Sequence, residues 1–148
     1  MSVRTGILVL FCAVAVAPGG AQAQEATSGA RYQRVISANP FGLLLELFNA
    51  EYEKVMGEST TAGMGGSFMT RNDEDYLNAD VFLRYYMQER PLEGWAFGVK
   101  AGITNVPDHG TYFGFGFDFN RSWLMGKKDN FYVGTGFGLK RLLGVPDE

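Results

Sequence analysis

The sequence predicts an all-β protein, an antiparallel up-and-down transmembrane β-barrel with about seven strands. Three observations carry the prediction. In residues 111–123, Phe113, Phe115, Phe117 and Phe119 alternate with Gly114, Gly116, Asp118 and Asn120, and Trp123 closes the aromatic row. Strand side chains point to opposite faces with a period of two, so one face is bulky and aromatic and the other small or polar. A soluble barrel would turn its bulk inward. A glycine-rich face offers little for phenylalanines to pack against, so the aromatics are expected towards lipid and the small or polar groups towards a narrow lumen. The second observation is composition: 20 Gly and 12 Phe in 148 residues. The third is that no segment after residue 23 approaches the roughly 20 apolar residues of a spanning helix. A chain that crosses hydrocarbon without helices must do so as a closed sheet, whose backbone groups satisfy one another.

The length suits one domain. Residues 1–23 are expected to lie outside it. Arg4 supplies a positive start, residues 6–17 an apolar run, and Ala21-Gln22-Ala23 a small-residue cleavage site, the pattern of a secretory signal peptide. Cys12 falls inside the run, and Val9-Leu10-Phe11 before it lack the small residue that precedes a lipidated cysteine. The mature chain is therefore expected to have no cysteine and no disulfide, although the compartment would permit one. Losing the leader removes one of 13 basic residues and none of 16 acidic ones, which leaves a net charge of −4. With no basic block, nucleic acid is not an expected partner.

Residues 24–30 are polar and small, a flexible lead-in. The barrel domain follows over 31–148, in segments of about ten residues punctuated by turn signals. The first predicted strand is 32–38. Asn39-Pro40-Phe41-Gly42 is a turn, because proline pre-sets its own dihedral and glycine tolerates positive φ. The second is 43–56. There Leu45 and Leu47 share parity with Glu51 and Glu53, so a bulge near Glu46 is expected to restore the facing; a single bent strand over 32–56 fits equally well. Strand 59–70 sets Ala62, Met64 and Phe68 against Thr61, Gly63, Gly65 and Ser67. After the charged loop Arg71-Asn72-Asp73-Glu74-Asp75, strand 76–88 sets Val81, Leu83, Tyr85 and Met87 against Asp80, Phe82, Arg84, Tyr86 and Gln88. A turn over 90–94 leads to strand 95–104, with Trp95, Phe97, Val99, Ala101 and Ile103 outward. The loop 105–110 precedes the phenylalanine strand. A polar turn over 126–130 precedes strand 131–140, with Phe131, Val133, Phe137 and Leu139 outward.

The inward parity collects Glu51, Glu53, Asp80, Arg84, Lys100, Asp118 and Lys140, joined by Tyr86 and Tyr132. A small barrel is just wide enough to be filled by its own side chains. Charges buried there must pair, so the expected arrangement is a ladder of ion pairs plugging the lumen. A proton or ion path, or a polar ligand pocket, is the sharper alternative. Lipid-facing positions are Phe97, Phe113, Phe115, Phe117, Phe119 and Phe137. Tyr76, Trp95, Trp123 and Phe131 lie near strand ends, where interfacial aromatics gather.

Little else points to chemistry. His109, the lone histidine, follows Asp108 in a loop, and adjacent residues of an extended chain point apart. Ser67 and Ser122 lack a nucleophile motif. One histidine does not make a metal site. Asp73-Glu74-Asp75 lacks the ligand spacing of a calcium loop. The glycine runs 63–66 and 134–138 open no helix, so they are not nucleotide loops; close strand approach and room in a tight lumen explain them. No cofactor is expected.

On Asn39-Pro40, Tyr52-Glu53, Arg84-Tyr85-Tyr86, Gly114 to Phe119 and Gly134 to Gly138, the chain resembles the small outer-membrane β-barrels of the OmpA-transmembrane-domain and OmpX type. It is most similar to a bacterial barrel family with no established enzymatic activity. The resemblance implies eight strands in the full family, a last strand lacking here, and a Glu53–Arg84 pair in the lumen. The expected function is thus a non-enzymatic outer-membrane barrel with a side-chain-plugged lumen, structural or surface-binding. It would be a monomer exported by the Sec route, handled by the barrel-assembly machinery, and in contact with membrane lipids and lipopolysaccharide. The alternatives are a soluble periplasmic lipocalin-like barrel holding a small apolar ligand, with the phenylalanine row lining its pocket, and a lipid A-modifying barrel enzyme.

Overall fold

The computed structural model describes residues 9–16, 32–38, 47–71, 74–129 and 131–144. Along them run β1 (Val9–Val16), β2 (Arg34–Ala38), β3 (Leu47–Val55), β4 (Thr60–Arg71), β5 (Glu74–Tyr86), β6 (Gly94–Val106), β7 (Gly110–Met125) and β8 (Phe131–Leu142), with no helix among the described residues. The fold is all-β and up-and-down. The seven strands β2 to β8 form one curled sheet in which each strand pairs antiparallel with the next.

Closure comes from β1. It lies antiparallel along β8 from Val9↔Gly138 to Val16↔Phe131 and meets β2 at Val14↔Ala38. Sequence analysis set this apolar run aside as part of a leader. In the uncut chain it lies along the edge of β8. The physical reason is plain: an uncovered edge presents a row of unpaired N–H and C=O groups, and Val-Leu-Phe-Cys-Ala-Val-Ala-Val is rich in residues that suit a strand.

The 32–56 region is two paired strands, not one bent strand, because Arg34 to Ala38 run antiparallel to Ala50 to Lys54. The predicted turn at 39–42 and the bulge near Glu46 lie outside the described residues. Strand β5 stops at Tyr86, two residues short of the predicted end. Gln88 therefore belongs to the turn, is exposed, and accepts a hydrogen bond from the Trp95 amide at 2.8 Å.

The turns at 56–59, 87–93 and 126–129 share one end of the barrel, here the lower rim; the 107–109 turn sits at the upper rim. The alternation read from the sequence holds along the sheet. Phe113, Phe115 and Phe117 are 52%, 50% and 43% exposed on the outer wall, while Phe82, Arg84 and Tyr86 are buried inside. Large apolar side chains thus cover the outside, and the interior is largely polar.

The lower end is closed by a small apolar cap of Val35, Val55, Leu92 and Tyr132, with Tyr32 and Leu124 packed against it. Leu92 enters from the 87–93 turn with φ +70 and is almost fully buried. A non-glycine residue in that region is strained, and the burial of its side chain offsets the strain.

Candidate functional site

The site is built from cross-strand rows on the inner face. One row runs Thr61, Arg84, Gly98, Asp118, Gly138 across β4 to β8; the next runs Glu53, Gly63, Phe82, Lys100, Gly116, Lys140; a third runs Glu51, Gly65, Asp80, Gly102, Gly114. Long side chains are interspersed with glycines, the large–small filling that a narrow barrel requires. At Gly98 a Cβ would stand 2.5 Å from Asp118 Oδ1 and 3.0 Å from Arg84 Cγ. Arg84 therefore crosses its neighbouring strand only because nothing projects from it.

Arg84 is the hub. Its Nη1 donates to Glu53 Oε2 at 2.9 Å, its Nη2 faces Glu51 Oε2 at 2.9 Å, and its Nε donates to Asp118 Oδ1 at 3.2 Å. With the Asn120 amide oriented to satisfy both neighbours, its nitrogen donates to the Ala96 carbonyl and its oxygen accepts from Arg84 Nε at 3.1 Å. The guanidinium also lies over the Phe82 ring, 4.1 Å from its centre. A planar fork with several fixed donors suits this crowd of acceptors, where a point-charge ammonium would not. Glu53, 2% exposed, is saturated from the other side: Thr61 Oγ1 donates to its Oε1 at 2.5 Å and the Tyr86 hydroxyl to the same atom at 2.9 Å.

Nearer the upper rim is a second cluster. Lys140 Nζ donates to Asp80 Oδ1 at 2.5 Å, to Asn78 Oδ1 at 2.6 Å and to Thr104 Oγ1 at 3.0 Å. Gly102 makes the room here, since a Cβ on it would meet Asp80 Oδ1 at 2.3 Å. Beside the Arg84 cluster lies a cavity of about 50 Å³, lined among others by Ser37, Asn49, Glu51, Arg84, Lys100 and Asp118. That is room for about three waters by the usual measure. Asn49 Oδ1 is buried without a hydrogen-bond partner, and no carboxylate pairs with Lys100 among the described residues.

The structure thus brings Glu51, Glu53, Arg84 and Asp118 into one cluster and Asp80 and Lys140 into another, and sets Lys100 on the cavity beside the first. Tyr86 joins the hub through Glu53, and Tyr132 joins the apolar cap. Sequence reading missed Asn78 beside Lys140, although its parity with Asp80 was the available signal. It also missed Leu92, for which a turn sequence gives no signal.

On the outer wall, Phe97 and Phe137 are exposed with the Phe113 row, while Phe119 is half-buried, stacked on Trp95 at 5.0 Å and tilted against Phe137 at 6.1 Å. Trp95, Trp123 and Phe131 come together on the outer wall towards the lower rim. Tyr76 does not join them: it sits at the opposite end with the parity of Asn78 and Asp80, and its hydroxyl donates to Glu74 at 2.9 Å.

The remaining candidates are dispersed. His109 Nδ1 lies 2.9 Å from the Pro107 carbonyl in the upper-rim turn. Ser122 is buried near the other end, its hydroxyl donating to the Leu92 carbonyl at 3.1 Å. Asp75 accepts from Thr70 at 2.8 Å, and Asp73 lies outside the described residues. No group of His, Cys, Asp and Glu suited to a metal occurs among the described residues. No protein-family model, curated protein or solved structure matches the chain.

Proposed function

We propose that this chain is a non-enzymatic outer-membrane β-barrel of the small OmpA-transmembrane-domain and OmpX type, with its lumen plugged by its own side chains. Its role is structural or surface-binding, in the integrity of the envelope or in contacts made by its loops. One observation supports this above the others: the outside of the barrel is apolar and the inside ionic. Burial of apolar surface is the main force that folds a chain in water, and an outer wall bearing exposed Phe97, Phe113, Phe115, Phe117 and Phe137 forgoes it. In hydrocarbon the same wall is the stable one, and the ion pairs belong in the lumen.

The two rival readings fare less well. A lipocalin-like carrier needs the phenylalanine row inside, and it is outside. A lipid A-modifying enzyme needs a nucleophile beside a base, and Ser122 and His109 lie near opposite ends. Fractionation of cells expressing the full chain tests the proposal. Recovery in the outer-membrane fraction, with slower gel migration after boiling in detergent, is the expected result; recovery as a soluble periplasmic monomer would overturn it.

A further inference from the structure

The outer wall carries an unbalanced set of cations at one end. Arg34 and Lys54 are exposed and directly opposite each other in the β2–β3 ladder. Like charges facing across two strands repel, and no carboxylate pairs with either among the described residues. Arg121 shares their outward parity and their end of the barrel. Its guanidinium lies 4.9 Å from the Trp95 ring centre and 5.1 Å from that of Trp123, again with no carboxylate partner. Two indoles hold this cation on an aromatic wall, with Phe131 nearby, the setting of a side chain at a lipid–water boundary. Lys127 and Lys128 are exposed in the adjoining turn, and Arg90 in the 87–93 turn. The acidic residues of this rim, Glu58, Glu89, Glu93 and Asp129, all sit in turns beyond the wall. At the upper rim the pattern differs: Asp75 and Glu74 are exposed there, and Glu74 lies opposite Arg71 in the β4–β5 ladder.

We infer that the lower outer wall is a binding surface for phosphate-bearing anionic lipid headgroups, with Arg34 and Lys54 forming one two-point contact and Arg121, steadied by Trp95 and Trp123, another. The inference rests on the membrane reading above and deepens it, because it says which end of the barrel meets the anionic headgroups. Charge complementarity is the ground for the choice of ligand. Paired cations facing the same way take a phosphate between them, and indoles at headgroup depth keep a guanidinium from being drawn into water.

The test uses the full chain reconstituted into bilayer discs of phosphatidylglycerol and phosphatidylcholine with matched acyl chains, followed by extraction and mass measurement of the lipid that stays bound. The unaltered protein retains phosphatidylglycerol in preference. Arg121→Gln, and Arg34→Gln with Lys54→Gln, reduce that preference by about fivefold per cation removed. Arg121→Lys keeps most of it, and Glu74→Gln with Asp75→Asn at the other rim leaves it unchanged. Equal retention of the two lipids by the inserted protein overturns the site alone, as does a preference that survives all three glutamine substitutions. Displacement of phosphatidylglycerol by inorganic phosphate at matched ionic strength assigns the cations to free phosphate and overturns the lipid assignment. Failure to enter discs of either lipid overturns the membrane reading and the site with it.

Discussion

The lumen holds two ionic clusters of opposite design. Around Arg84, one cation faces the three carboxylates of Glu51, Glu53 and Asp118. Around Lys140, one cation faces one carboxylate and three neutral oxygens. The first lies against the apolar cap of Leu92, Val35, Val55 and Tyr132, with its arginine 6% exposed; the second lies towards the upper rim, with side chains of Lys140 and Asp80 at 12% and 10%. The difference teaches what each cation must do. Arg84 balances three carboxylates crowded around it, two of them buried, so its loss strands several at once. Lys140 anchors one acid that neutral neighbours also support, so its loss strands one.

Arg84→Met should break the comparison most sharply. Removing one member of a buried ionic group costs about 3–5 kcal/mol, and here three acids share the vacated partner. Urea unfolding of the reconstituted barrel would read the loss. Adding Glu53→Leu should recover part of it, since apolar replacement of both partners removes the stranded charge; no recovery would show that Glu53 is not the acid the hub exists to balance. Leu92→Ala comes next, at about 2–4 kcal/mol, because it empties the cap over the hub; the same unfolding curve measures it. If the cap matters only to the Arg84 end, hydrogen exchange should rise in the amides around Val55 and Tyr132 and not around Asn78.

Lys140→Met should cost less, about 1–3 kcal/mol, the penalty of leaving Asp80 short of one strong partner. A loss equal to that of Arg84→Met would erase the distinction between the clusters. Tyr86→Phe is the smallest change, about 0.5–1.5 kcal/mol, because Glu53 keeps Thr61 and Arg84 when the phenol hydroxyl goes. Its effect is read as a shift in the unfolding midpoint.

Parity was legible in the sequence, and partnership was not. The alternation of Phe113 to Phe119 with Gly114 to Asn120 is local, so it assigns wall and lumen without knowledge of any neighbour. The same rule placed Glu53, Arg84 and Asp118 inside. That Arg84 lies level with Gly98 and Asp118, and Phe82 with Lys100 and Gly116, depends on register, which the connections set and strand periodicity leaves free. Glu53–Arg84 came from the resemblance rather than from spacing. Leu92 stayed hidden because its sequence is that of an ordinary turn, and its burial follows from a backbone angle a leucine rarely adopts. Arg121 shares parity with Phe119 and Trp123, yet only the folded wall shows two indoles flanking it.

The stave that closes this barrel, Val9–Val16, lies in the stretch that the sequence reads as an export leader. A cut after Ala23 would take the stave away and turn a tube into a gutter whose flanks, Arg34–Ala38 and Phe131–Leu142, are ready to zip onto whatever extended segment arrives next. The timing of such a cut relative to folding would then decide whether the ring stays closed.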